Sequence, residues 1–183
     1  YAIEIKENGI KYEGEWKNDL YHGSGKQFFP EGTDVDLIRY EGEFSEGYRS
    51  GVGKLYYQGG CFYEGEISYD WEQGQGTMDC SKDISQAWKT YDGEWEDAYE
   101  NGLGKVIFKN GDSYTGSFED TLLHGKGKYT WKNGETYEGD FVYSKITGTG
   151  IKVYEDGAVY KGNWSNGKRQ GDGEMKFASG DVY

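Results

Sequence analysis

One cassette recurs along this chain at a spacing that never varies. A tyrosine is followed two residues on by glycine, two further on by Trp, Phe or Ile, and eleven residues after the tyrosine by a Gly-x-Gly. The tyrosines are Tyr12, Tyr40, Tyr63, Tyr91, Tyr114, Tyr137 and Tyr160. The fourth residue after each is Trp16, Phe44, Ile67, Trp95, Phe118, Phe141 or Trp164. The Gly-x-Gly copies begin at Gly23, Gly51, Gly74, Gly102, Gly125, Gly148 and Gly171. A period of this size marks a repeat array, in which each unit buries its apolar face against its neighbours. Successive tyrosines stand 23 residues apart, except at Tyr12→Tyr40 and Tyr63→Tyr91, where the step is 28. Since the front half of each repeat keeps its length, both insertions follow the Gly-x-Gly strand, in Pro30–Arg39 and Asp79–Thr90. Loops absorb added residues, whereas a strand pair would lose its register.

Within a cassette, residues i, i+2 and i+4 share one face of a strand, so tyrosine, glycine and the second aromatic lie on one side. A turn of about six residues and a second strand from Gly-x-Gly complete the repeat. Asn8-Gly9, Asn110-Gly111 and Asn133-Gly134 predict type I′ turns into the next repeat. Glycine weakens an ordinary strand, so these glycines predict a large ring from the adjacent strand lying over bare backbone. Of 31 glycines, 21 fill cassette positions, so the glycine content is positional and unlike that of a flexible linker. Only 34% of residues are hydrophobic and 17% are aromatic. Tyrosine is therefore the main apolar material, each ring expected to be buried while its hydroxyl stays wet. The fold class predicted is all-β: an elongated single-layer antiparallel β-hairpin array of about seven repeats and roughly fourteen strands. Residues 1–11 read as the tail of a preceding repeat and Tyr183 as the start of another. On this reading residues 1–183 are one window on a longer array.

No apolar run reaches the roughly 18 residues that would cross a membrane as a helix. Two cysteines, Cys61 and Cys80, are too few for a disulfide-built secreted module. They predict a reducing, cytosolic setting and free thiols, although the two could lie on neighbouring strands of the third repeat. The two histidines, His22 and His124, occupy the same repeat slot and read as structural. Gly23-Ser24-Gly25-Lys26 and Gly125-Lys126-Gly127-Lys128 are followed by Gln27 and Tyr129, where a phosphate loop needs a hydroxyl for magnesium and then a helix. No calcium-loop or Cys/His metal spacing is present. The chain is accordingly expected to be no enzyme, with no catalytic, cofactor or metal residue assigned.

The charge is patterned. With 33 acids against 20 bases, net −13, nucleic acid is disfavoured. Anionic lipid is disfavoured too, since it calls for about four to eight clustered bases and the longest basic run is Lys168-Arg169. Glu13, Glu41, Glu64 and Asp92 follow their tyrosines by one residue, and Glu15, Glu43, Glu66 and Glu94 by three. These two columns form an acidic ladder facing away from the aromatic side, either as a solvated face or as a site for a basic protein. A second aromatic column, Phe29, Tyr57, Phe108, Trp131, Tyr154 and Phe177, is interrupted only by Cys80. It offers one ring per ~10 Å of array, and exposed aromatic surface marks an interaction site. These six are the candidate partner-binding residues.

The cassettes Tyr12-Glu13-Gly14-Glu15-Trp16…His22-Gly23-Ser24-Gly25 and Tyr137-Glu138-Gly139-Asp140-Phe141…Gly148-Thr149-Gly150 resemble MORN (membrane occupation and recognition nexus) repeats, over nearly the whole chain. The departures are the two long repeats, Ile67 in an aromatic slot, and histidine at only two copies. The resemblance implies a twisted hairpin array used as a scaffold or docking module, as in junctophilins, plant phosphoinositide kinases, radial-spoke head proteins and protist cytoskeletal collars. It points first to a cytoplasmic protein–protein scaffold in a ciliary axonemal, radial-spoke-like or other cytoskeletal complex. A membrane or phosphoinositide tether is the second alternative. A regulatory array whose catalytic domain lies outside this window is the third, and a homodimer remains open as a partner.

Overall fold

The structure, a computed structural model, describes residues 1–30, 32 and 36–183. Part of the expected loop over 30–39, residues 31 and 33–35, lies outside the described residues. The fold is all-β, as the spacing predicts: fifteen strands and one short 3-10 turn, Gln58–Gly60, with no α-helix among the described residues. The chain divides into two compact units, Tyr1–Tyr99 and Glu100–Tyr183. In the first unit β1 (Ala2–Ile5), β2 (Lys11–Lys17), β3 (Leu20–Phe28), β4 (Leu37–Ser45), β5 (Tyr48–Tyr57), β6 (Phe62–Ser68), β7 (Trp71–Asp79) and β8 (Trp88–Glu96) pair antiparallel in chain order. The second unit follows the same rule with β9 (Tyr99–Phe108), which starts on the last residue of the first, β10 (Ser113–Glu119), β11 (Leu122–Thr130), β12 (Thr136–Val142), β13 (Lys145–Val153), β14 (Val159–Ser165) and β15 (Lys168–Lys176). The strand beyond the expected fourteen is β1, in the tail of the preceding repeat.

The turns differ from the sequence expectation. Where about six loop residues were predicted after the cassette, the chain reverses over two: Asn18-Asp19, Glu46-Gly47, Tyr69-Asp70, Asp97-Ala98, Asp120-Thr121, Tyr143-Ser144 and Asn166-Gly167. Both residues of every pair have positive φ, the type I′ pattern that matches strand twist. At Asn8-Gly9, Asn110-Gly111 and Asn133-Gly134, only the glycine is left-handed. There the asparagine Oδ1 accepts the amide two residues on, from Ile10 (3.2 Å), Asp112 (2.9 Å) and Glu135 (3.2 Å), an Asx turn. The second strand thus starts three residues before Gly-x-Gly.

That early start creates a bulge. Gly14 pairs with Gly25 while Glu15 pairs with His22, leaving Gly23 and Ser24 as extra residues on β3. Gly23, with φ +61, needs the left-handed backbone that glycine adopts without strain. The repeat tyrosine then folds across the paired glycines. Tyr12, Tyr40, Tyr63, Tyr91, Tyr114 and Tyr137 are essentially inaccessible. A Cβ built on Gly25 would stand 2.7 Å from the Tyr12 ring, and one on Gly139 2.5 Å from the Tyr137 hydroxyl and 2.6 Å from the Cα of Gly150. The expected wet hydroxyl is instead dry: Tyr12 Oη donates to the Glu15 carbonyl at 2.7 Å, Tyr40 to Glu43 at 2.8 Å, and Tyr114 to Ser117 at 2.9 Å. The bulge removes those carbonyls from the ladder, and the tyrosine satisfies them.

Edge-on aromatic contacts complete the layer. Phe44 meets its own Tyr40 at 5.1 Å and the preceding Tyr12 at 5.0 Å. In the second unit Phe141 lies 5.3 Å from Tyr137 and 5.0 Å from Tyr114. Both are T-shaped geometries, which the ring quadrupole favours. Ile67 fills the same slot at 3% exposure and leaves the β6–β7 register intact.

The two insertions only partly enter loops. β4 and β8 are nine residues long against seven for β2, β6, β10, β12 and β14, so some of the added length extends strands. No helical turn forms over 83–88. The free-thiol expectation is overturned: Cys61 and Cys80 form a disulfide, with Cα atoms 4.2 Å apart. The β6–β7 register sets Phe62 opposite Asp79, which places the two cysteines opposite one another at the next position. Cys80 takes the slot that holds an aromatic in the other six repeats. There the bond stands in for a ring.

Replacing Gly139 with Ala should cost about 2–3 kcal/mol by overpacking the layer. Urea unfolding would show this as a lowered midpoint, and an unchanged midpoint would deny the glycine pair its packing role. The intact protein should resist alkylation by iodoacetamide until reduced. Reduction should then lower stability by about 3 kcal/mol, the scale for a closed loop of this length.

Candidate functional site

The six aromatic candidates stand where each second strand ends, on the tyrosine side. Their backbone amides close the junction to the next repeat: Phe29 to the Ile38 carbonyl (2.9 Å), Tyr57 to Cys61 (2.9 Å), Phe108 to Asp112 (2.9 Å), Trp131 to Glu135 (3.0 Å), Tyr154 to Ala158 (2.9 Å) and Phe177 to Asp181 (2.8 Å). Five are half-buried and Phe177 is exposed. Neighbours cover part of each half-buried ring. In the first unit Arg49 lies 5.8 Å from the Phe29 ring, and the Tyr57 hydroxyl donates to Glu72. In the second, Phe108 stacks on Tyr129 at 5.9 Å and Trp131 tilts against the same ring at 4.8 Å. Lys152 Nζ stands over both Trp131 (4.3 Å) and Tyr154 (4.9 Å) while pairing with Glu135 at 2.8 Å. Trp131, Lys152 and Tyr154 therefore form one cluster, a cation held between two rings.

Sequence reasoning missed the charged members of this side. Arg49 donates its Nε to Asp70 Oδ1 at 2.9 Å, and Glu72 is 6% exposed beneath Tyr57. Asp112 accepts from the Tyr129 hydroxyl (2.7 Å), the Lys132 amide (2.8 Å) and Asn110 Nδ2 (2.8 Å). Burial opposes the charged form of Asp112, yet these hydrogen bonds outweigh it and hold its carboxyl below the usual range. The only signal for Arg49 and Glu72 is positional, the second residue after each tight turn: Tyr21, Arg49, Glu72, Glu100, Leu123, Ile146, Arg169. Nothing in the cassette marks that slot as facing the rings.

The acidic ladder divides by role. In its second column the carboxylates cap bulges: Glu15 accepts the Ser24 amide at 3.3 Å and Glu66 the Gln75 amide at 3.0 Å. Asp140 does the same for Thr149 at 2.9 Å. Glu43 reaches the matching bulge glycine, Gly51, and Glu94 occupies the equivalent slot in the fourth repeat. In the first column the carboxylates find partners along their own strand or across to the next. Glu13 meets Lys11, Glu41 meets Lys26 (3.3 Å) and Arg39 (3.2 Å), and Glu64 meets Lys54 (3.0 Å). Asp92 accepts from Thr77 Oγ1 at 3.2 Å. The surplus charge is nonetheless concentrated: residues 1–99 carry 21 acids and 9 bases, net −12, and residues 100–183 carry 12 and 11, net −1.

An open groove of about 1050 Å³ runs over the polar side of the second unit, floored by Gly116, Gly127, Gly139 and Gly150. Its walls mix Lys128 and Lys161 with Glu138 and Glu174. Among the described residues no three His, Cys, Asp or Glu side chains converge to hold a metal. Among the described residues no helix is long and apolar enough to cross a membrane.

A family model described as MORN repeat matches residues 12–34, 40–62, 63–83, 91–113, 114–136, 137–159 and 160–182. No curated protein matches the chain. A solved structure from Drosophila melanogaster, the SAS-4 (dCPAP) TCP domain in complex with a proline rich motif of Ana2 (dSTIL), is similar at TM-score 0.49 and 13% identity. The match covers 100% of this chain and 86% of that one.

Burial pushes the hydroxyls of Tyr114 and Tyr137 up to about 12, and those of Tyr40 and Tyr63 are raised further. An unfolded tyrosine ionises near 10, so the folded state holds these protons more tightly. The stability they contribute is complete below pH ~10 and is lost as pH rises through ~12. Absorbance of tyrosinate and circular dichroism followed together should show that part of the tyrosine absorbance, the share of the buried layer, appears only with unfolding in that window. Ionisation of all the tyrosines near pH 10 with the fold retained would contradict the dry, hydrogen-bonded hydroxyls.

Proposed function

The chain belongs to the MORN-repeat family, and from that premise we propose that it is a non-enzymatic scaffold that docks protein partners along its repeats. One observation carries this reading. The invariant residues are consumed by the layer itself, while the slots that vary between repeats present different chemistry to the outside. Tyrosine, glycine pair and second aromatic close on one another in each repeat. The variable slots on the same side hold Arg49, Trp131, Lys152 and Tyr154. A regular frame with an irregular display suits recognition of an extended partner, as in other repeat proteins.

Trp131 and Tyr154, half-buried around Lys152, are the rings we assign to partner contact. Aromatic anchors with a partly desolvated cation are typical of energetic centres in interfaces. A cytoplasmic setting in a ciliary axonemal, radial-spoke-like or other cytoskeletal complex is proposed on the family likeness alone. The net charge of −13 weighs against a tether to anionic lipid.

With the whole chain as bait, cross-linking and mass spectrometry would identify the retained proteins. Changing Trp131 and Tyr154 together to Ala should reduce retention about tenfold or more, the scale of losing hot-spot rings, with circular dichroism unchanged. Undiminished retention by the folded variant would remove this face from the interface.

A further inference from the structure

We propose that the tight-turn rim of the first unit is a second docking strip, fitted to a basic amphipathic helix. This rests on the scaffold reading and names a surface and a partner chemistry that the reading does not require. The residue after each type I′ turn lies opposite the one before it: Leu20 with Lys17, Tyr48 with Ser45, Trp71 with Ser68. The neighbouring pair Trp16–Tyr21 turns its rings to the tyrosine side, so alternation sends Leu20, Tyr48 and Trp71 to the other side. None of the three is needed by the layer. They are 45%, 48% and 57% exposed, and Tyr69, in a turn, is 70% exposed.

Leu20, Tyr48 and Tyr69 adjoin one another along the rim, and Trp71 follows two residues after Tyr69. The Gly47 amide donates to the Tyr21 carbonyl and the Asp70 amide to the Arg49 carbonyl, each at 3.0 Å, so each turn rests on the preceding hairpin. Leu20 Cδ2 reaches to 3.6 Å from where a Gly47 Cβ would be, and Tyr48 and Tyr69 meet edge to face at 5.6 Å. Tyr69 also holds a left-handed backbone, φ +47, a conformation that suits Asn, Asp or Gly and is uncommon for a bulky ring. The same turn position is Asn18, Glu46 and Asp97 in the rest of the unit, and Tyr143, also left-handed (φ +47) and 59% exposed, in the second unit.

Charge and pitch name the occupant. Asp19, Glu46, Glu96 and Asp97 stand exposed along this rim, in the unit that carries net −12. The corresponding post-turn residues of the second unit, Leu122, Lys145 and Lys168, lack both the aromatic run and the acidic surplus. Two strands advance about 10 Å, and seven residues of α-helix rise about 10.5 Å. A helix with an apolar side chain at every seventh position would therefore meet Leu20, Tyr48 and Trp71 in turn. Lysines or arginines flanking that stripe would face the rim carboxylates.

The probe is a fluorescein-labelled synthetic helix of about three heptads, with Leu at every seventh position and Lys beside it, titrated into the full chain by anisotropy. Binding should weaken about tenfold or more in the protein carrying Tyr48→Ser and Trp71→Ser, both exposed positions that leave the layer intact. Binding should also fall with salt and vanish when the peptide lysines become Glu. Equal affinity for the double variant, or for a scrambled peptide of the same composition, would overturn the proposal. So would tighter binding of an extended proline-rich peptide or of anionic vesicles. If the rim variants bind normally while Trp131→Ala with Tyr154→Ala still loses its cellular partner, the rim inference falls and the scaffold reading stands. If the intact chain binds the helix at the rim yet captures no cellular protein, the scaffold reading is the one that fails.

Discussion

Each repeat is organised around a tyrosine ring lying across two glycines that face one another on adjacent strands. Four requirements meet at that ring. At Tyr12 the glycines leave room for it, the bulge at the first glycine of Gly-x-Gly frees a carbonyl for its hydroxyl, Glu15 three residues on caps the bulge amide, and Phe44 of the next repeat closes its edge. A residue added within either strand between Tyr12 and Gly25 would shift these partners out of register. The front of the cassette therefore keeps its length, and the longer repeats add residues only after Gly-x-Gly, where no contact of the ring is involved. A layer one strand thick has no second sheet to bury its rings, so glycine backbone and neighbouring ring edges serve as the inner surface.

This arrangement also sorts the charges. Because alternate residues point away from the rings, the residues one and three after each tyrosine belong to the polar side. The third is drawn into the bulge and becomes structural, as Glu15, Glu66 and Asp140 show. The first meets a lysine across the strand, as at Glu41–Lys26 and Glu64–Lys54. Exposed pairs of this kind contribute little stability individually. Their main effect is to neutralise the middle of the sheet, while Asp19, Glu46, Glu96 and Asp97 stand exposed at the turns of the first unit.

Repeats that contact only their neighbours tolerate local substitution of means. The third repeat shows this twice. Ile67 replaces an aromatic and stays buried, and the Cys61–Cys80 bond fills the slot that Phe, Tyr or Trp occupies elsewhere. The frame persists because register, set by the paired glycines, does not depend on which apolar group fills either slot. Variation is thereby channelled into positions that face outward or border the rings, where it alters recognition without altering the layer.

The all-β class, the recurrence of the repeat, and the sidedness of tyrosine and glutamate were legible in the sequence, because each follows from a spacing and the two-residue period of a strand. The close cover over the strand glycines was legible for the same reason. The seven tight turns were not. Tyr69-Asp70 and Asp97-Ala98 carry no type I′ signature, and the bulge that shifts the second strand depends on Gly25 pairing with Gly14 rather than on local preference. The dry tyrosine hydroxyl, the structural half of the acidic ladder and the disulfide all follow from that register. So do Arg49, Glu72 and Lys152 beside the rings, and Leu20, Tyr48 and Trp71 on the rim. Composition and period specify which residues alternate, but only the pairing of strands decides which side chains meet, since one register step exchanges the two faces.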